Sequence, residues 1–112
     1  MQTDIDEMIF LKVFGPSPRN RVLMFMIENN IFDYSKSDIA SNCGVSRATL
    51  DTFFDELLKL GLLLKTRSVG RATLFKINFE SPIVQELARL NELVTDKYAD
   101  ALVGKQVQKA YA

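Results

Sequence analysis

Histidine and tryptophan are missing from this chain of 112 residues, cysteine occurs once and proline three times. Neither sign of charge is in excess, because fourteen basic side chains stand against fourteen acidic ones. Without histidine there is no Ser-His or Cys-His nucleophile pair and no imidazole acid–base chemistry. Cys43 alone makes neither an intrachain disulfide nor a zinc site that needs several Cys or His ligands. The chain is therefore expected to be no enzyme and to hold no metal or cofactor. Long hydrophobic runs are missing too: the longest, residues 22–27, has six residues, where a bilayer needs about twenty. Asp4, Asp6 and Glu7 stand where a secretory signal would carry basic residues. With its free thiol, the chain is expected to be cytoplasmic and to have no membrane partner.

What is present is apolar content of 47%, enough in a chain of this length for one globular domain spanning residues 1–112. Residues 4–14 place acids before apolar side chains and are read as a short N-terminal helix. A helical core over residues 17–61 follows. Ser17 and Pro18 supply an N-cap and a proline at the first helical position, and the apolar centre of the helix they open reads as buried on all sides. Ile31 and Phe32 are expected to pin the next loop to the core. Residues 35–60 carry the most specific spacing. Ser35 with Asp38 opens a short helix that Gly44 ends in a left-handed conformation, and Ser46 caps the next. There Leu50, Phe53, Phe54, Leu57 and Leu58 recur at the intervals of one helical face, up to Gly61.

From Leu62 the period changes to two. Residues 62–79 read as a hairpin of two strands joined by a three-residue loop, Ser68-Val69-Gly70, with Thr73, Phe75, Ile77 and Phe79 on one face. Ser81-Pro82 repeats the cap-and-proline signal, opening a helix over residues 82–103 that Gly104 is expected to end, with a fraying tail from Lys105 to Ala112. The fold class that follows is mostly α with a small β-hairpin wing: a winged helix-turn-helix with an extended C-terminal helix. In that layout Ala40 must be small where the second helix crosses, and the second helix is the one that enters a DNA major groove.

The text PSPRNRVLMFMIEN, FDYSKSDIASNCGVSRATLDTFFDELLKLGLL, TRSVGRATLFKIN and SPIVQEL resembles archaeal winged-helix transcriptional regulators and, more distantly, ArsR-like and MarR-like repressors, over about residues 14–90. The resemblance implies a dimeric, sequence-specific binder of double-stranded DNA. It implies recognition-helix contacts at Ser46, Arg47, Thr49 and Thr52 and wing contacts at Arg67 and Arg71. The clustered Cys and His ligands of metal-sensing ArsR-like proteins have no counterpart here.

Charge divides unevenly along the chain. Residues 46–77 carry a net +3, with Lys65, Arg67, Arg71 and Lys76 meeting no acid between Gly61 and Asn78, whereas residues 1–16 sum to −2 and residues 78–112 to −1. Lys65 joins the wing set, and Arg19 and Arg21 are candidates for the DNA backbone from the start of their helix. Asp51 and Asp55 oppose this reading, since they repel phosphate unless they pair with cations or accept from cytosine. They support the alternative of a winged helix that binds protein within a transcription or replication assembly. A last helix of about 33 Å exceeds what a small core needs to cover. Leu87, Leu90, Val94, Tyr98 and Leu102 are therefore expected to face the same helix of a second copy in a homodimer.

Overall fold

The computed structural model describes residues 5–103. The expected stop at Gly104 and the fraying tail lie outside that range. Serine caps set the helical frame. Ser17 accepts from the Asn20 amide at the start of α2 (Pro18–Glu28), Ser35 from Asp38 at α3 (Lys36–Cys43), and Ser46 from Thr49 at α4 (Arg47–Asp51). Gly44, at φ +65°, ends α3 with the paired hydrogen bonds Val45 N–H to Ala40 O and Gly44 N–H to Ser41 O. That tight turn brings α4 across α3 over the buried Ala40.

Two helices differ from expectation. The N-terminal element is broken into a 3-10 turn (Ile5–Glu7) and α1 (Ile9–Phe14), because Met8 has extended backbone. The face from Leu50 to Leu57 is buried as expected, yet its helix is interrupted between α4 and α5 (Phe54–Lys59). There Thr52 and Phe53 turn through bonds to Thr49 O and Leu50 O, and the Thr52 hydroxyl donates to the Thr49 carbonyl at 2.6 Å. A local hydroxyl-to-carbonyl bond of this kind competes with the helical ladder.

The sheet has three strands where two were expected. β1 (Tyr34–Ser35) pairs antiparallel with β3 (Ala72–Ile77), which pairs antiparallel with β2 (Leu63–Val69), in the order β1-β3-β2. The connection is Gly70-Arg71, two residues and not three, with Gly70 at φ +60°. Phe75 and Ile77 turn into the core, while Phe79 lies past the strand and is exposed.

The core gathers Val22, Met24, Phe25, Met26, Ile39, Leu50, Phe54 and Leu63 under Val84 of the long α6 (Pro82–Val103). Ser81 accepts from the Val84 amide at its start. α1 lies along α6, and Asn91 donates to Glu28 Oε1 at 3.1 Å, tying α6 to α2. Ile31, 75% exposed, does not pin its loop, and Phe32, 56% exposed, contributes only an edge-on contact to Tyr34 at 6.4 Å; buried Tyr34, stacked obliquely on Phe25, is the anchor.

Candidate nucleic-acid interface

Arg47 on the first turn of α4 and Arg71 at the hairpin tip are 24 positions apart in sequence, and the fold places them in one cleft. Ser35, Lys36, Ser37, Ala72, Thr73 and Phe75 complete its walls, around a volume of about 570 Å³. The packing of α3 against both α4 and the sheet sets this geometry. Arg47 Nη1 donates to Ser37 Oγ at 3.1 Å and its Nε lies 3.5 Å from Asp51 Oδ1. Lys36 Nζ lies 3.4 Å from the same Asp51 oxygen and 5.0 Å above the centre of the Phe54 ring. Lys36 is a cation that sequence reading missed. Its only signal was its place directly after the Ser35 cap, on the first helix of the helix-turn-helix.

The other expected contacts fall in different places. Ser46 and Thr49 are neighbours at the start of α4, their hydroxyls 2.9 Å apart, and both are partly engaged in capping. Thr52 is exposed, with its hydroxyl bonded to the Thr49 carbonyl. Arg71 and Lys65 are exposed and have no ion-pair partner among the described residues. Arg19 pairs with Glu56 and lies over the Phe53 ring. Arg21 departs most from a solvent-facing phosphate contact: its side chain is 17% exposed, Nε donates to Cys43 O at 2.6 Å, and Nη1 reaches Asp6 Oδ1 at 2.9 Å. It ties α2 to the end of α3 and to the N-terminal turn. Arg21 does border a shallow depression with Gly44, Ser46 and Thr49, but its guanidinium is committed to these structural partners.

Arg67 is held on the wing by a residue that sequence reading passed over. Lys65 stands opposite Phe75 and Arg67 opposite Leu74, leaving Thr66 as the extra residue of a β-bulge. The Thr66 hydroxyl donates to Asp33 Oδ2 at 2.6 Å, while Arg67 grips the same carboxylate with Nε at 2.9 Å and Nη2 at 3.2 Å. The Arg67 fork, with help from Thr66, holds the Asp33 carboxyl down at about 2, and Asp33 in turn raises the guanidinium further.

Asp51 is therefore neutralised by two cations, whereas Asp55 is exposed and without an ion pair among the described residues. Cys43 is buried, and burial pushes its thiol up to about 12, which leaves no thiolate for chemistry near neutral pH. Among the described residues, no three His, Cys, Asp or Glu side chains are grouped to hold a metal ion, and no helix is long and apolar enough to cross a membrane.

The fold is that of winged helix-turn-helix repressors. AntR, an antimony-specific transcriptional repressor, superposes with a TM-score of 0.60 at 17% identity, over 82% of this chain and 78% of its own. NadR, solved in complex with 4-hydroxyphenylacetate, gives 0.61 at 18% identity, over 92% and 73%. CouR, a transcriptional repressor bound to a 23-mer DNA duplex, gives 0.51 at 22% identity, over 95% and 84%. No protein-family model and no curated protein sequence matches the chain.

The expected dimer row on α6 is split. Leu87 and Val94 pack against the chain's own core, Tyr98 is half-buried, and Leu90 and Leu102 are exposed. The reason is that α1 and the core already cover one side of α6. Ile83, which the helical periodicity includes, and Leu93, which it does not, are 56% and 55% exposed and extend the outward row with Leu90.

Proposed function

We propose that this chain is a sequence-specific DNA-binding transcriptional regulator of the winged helix-turn-helix type. The observation that carries the reading is the meeting of Arg47 and Arg71 in one cleft between α4 and the wing. A duplex that took α4 in its major groove would set its backbone along that cleft, with Ser46, Thr49 and Thr52 on the groove side. Arg71 and Lys65 are the wing cations free to take phosphates, and Arg67 reaches the flanking duplex from its Asp33 clamp. Arg19 gives at most an outer contact, and Arg21 acts through the fold.

The regulator acts as a homodimer, with Ile83, Leu90 and Leu93 of α6 facing a second copy. Support comes from the apolar groove formed by Pro82, Ile83, Glu86, Leu87 and Leu90. A two-fold pair of subunits is also the simplest way to set two recognition helices about 34 Å apart. The rival reading, a protein-binding winged helix, loses half its support because Asp51 is already paired.

The test is a mobility-shift titration against a pool of short duplexes at low and moderate salt. The wild type should shift duplex in a salt-dependent way, and Arg71→Ala should weaken that binding about tenfold, roughly the effect of losing one desolvated phosphate contact. Equal, salt-independent binding by both proteins would refute the reading.

A further inference from the structure

Asp51 stands on the proposed reading helix, where a carboxylate repels DNA, and yet it sits between the two cations nearest the groove. Its contacts, 3.4 Å to Lys36 and 3.5 Å to Arg47, are long beside the 2.7–2.9 Å usual for tight charge-assisted bonds. The carboxylate is close enough to neutralise both cations and loosely enough held to be displaced. Neither cation depends on Asp51 for its position. Lys36 is 26% exposed and lies over the ring of Phe54, which is wholly buried, and Arg47 is bonded to Ser37. With Asp51 removed, two fixed positive groups would remain facing the same cleft as Arg71.

We propose that Asp51 is an internal substitute for a DNA phosphate that lowers affinity for every duplex, and that Lys36 is a further phosphate-contacting residue. The inference rests on the DNA-binding reading above. On binding, a phosphate oxygen takes the place of the Asp51 carboxylate on Lys36 and Arg47. The released carboxylate recruits a solution cation, offsetting about one of the counterions that the DNA releases. The protein thus binds DNA less tightly, and with a shallower salt dependence, than its cations alone would dictate.

The experiment measures binding of the full chain to a random-sequence duplex and to a duplex selected by the wild type from a random library, each over a range of salt. Asp51→Asn should tighten both by about the same factor, on the order of three- to tenfold, and steepen the slope of log K against log salt by about one. Asp51→Glu should restore wild-type behaviour, and Lys36→Gln should weaken binding and reduce the gain from Asp51→Asn. Unchanged affinity and slope in Asp51→Asn would overturn the proposal while leaving the DNA reading intact. So would tighter binding to the random duplex with weaker binding to the selected one, since Asp51 would then be reading a base. If the wild type binds neither duplex, the DNA reading fails and this inference falls with it. Thermal melts of each variant separate these outcomes from misfolding, because an exposed ion pair carries little stability.

Discussion

The cleft at α4 and the outer face of α6 are both exposed, but they are unsatisfied in different ways. In the cleft, most charges already have partners within the chain: Arg47 and Lys36 share Asp51, and on the adjoining wing Arg67 holds Asp33. On α6, Ile83, Leu90 and Leu93 are apolar groups facing outward, with the core packed behind the opposite side of the helix. Ion pairs at the surface exchange partners at small cost, whereas exposed apolar surface is relieved only by being covered. The first region is suited to a ligand that comes and goes, the second to a partner that stays. Net charge alone conceals the distinction, because it counts a paired arginine and a free one alike.

Substitutions can sharpen that contrast against the core that supports both regions. The largest expected effect is on Phe54, which is buried, carries the Lys36 ammonium on its ring and meets Phe75 edge-on at 4.8 Å. Phe54→Ala should cost about 3–5 kcal/mol in chemical denaturation, and should loosen both the cleft and α4. Next is the cleft itself. Combining Arg47→Glu with Arg71→Glu should reduce duplex binding by about a hundredfold or more, because it removes two phosphate contacts and adds two repulsions, with the melting temperature nearly unchanged. On α6, Leu90→Glu with Leu93→Glu should convert a dimer into a monomer in sedimentation and weaken DNA binding through loss of the second half-site. An unchanged sedimentation coefficient would remove that face from the account.

Smaller effects test the turn and the wing. Gly44→Ala should destabilise by about 1–2 kcal/mol or more, since its φ is +65° and the added Cβ would lie 2.9 Å from Arg21 Nη2, on a guanidinium already held by Cys43 and Asp6. The wing clamp should respond to acid. Asp33 has a folded-state value lowered from 3.8 to about 2, so it stabilises the fold above pH 4, and that contribution is lost as pH falls toward 2. An acid titration of Asp33→Asn should lack this component, read as a smaller difference between its melting temperatures at pH 4 and pH 2. Ile31→Ser should be nearly silent in the same assay, because the side chain is exposed.

How much of this was legible in the sequence depended on whether the cause was local. The serine caps and the glycine ends of α3 and α5 rest on bonds within a few residues, and each appears where its pattern placed it. The break at Thr52 is also local, but a threonine hydroxyl turning onto a carbonyl leaves the apolar spacing of Leu50, Phe53 and Leu57 intact and so gives no signal. Strand β1 is two residues long and exists only because β3 offers it an edge. The site was legible as a set of cations and not as a set of partners. Asp33 meets Arg67 across 34 positions and Lys36 meets Asp51 across 15, and no periodicity reports such pairs. The α6 row could not be divided for the same reason. A long apolar stripe does not say which of its residues face the chain's own core.

The most direct test of the central claim is the salt dependence of duplex binding by the wild type and by the variant combining Arg47→Ala with Arg71→Ala. If the cleft holds the DNA backbone, the wild type should show a steep fall of log K with log salt, and the variant a slope shallower by about two with correspondingly weaker binding. Identical slopes and affinities for the two proteins would contradict the account.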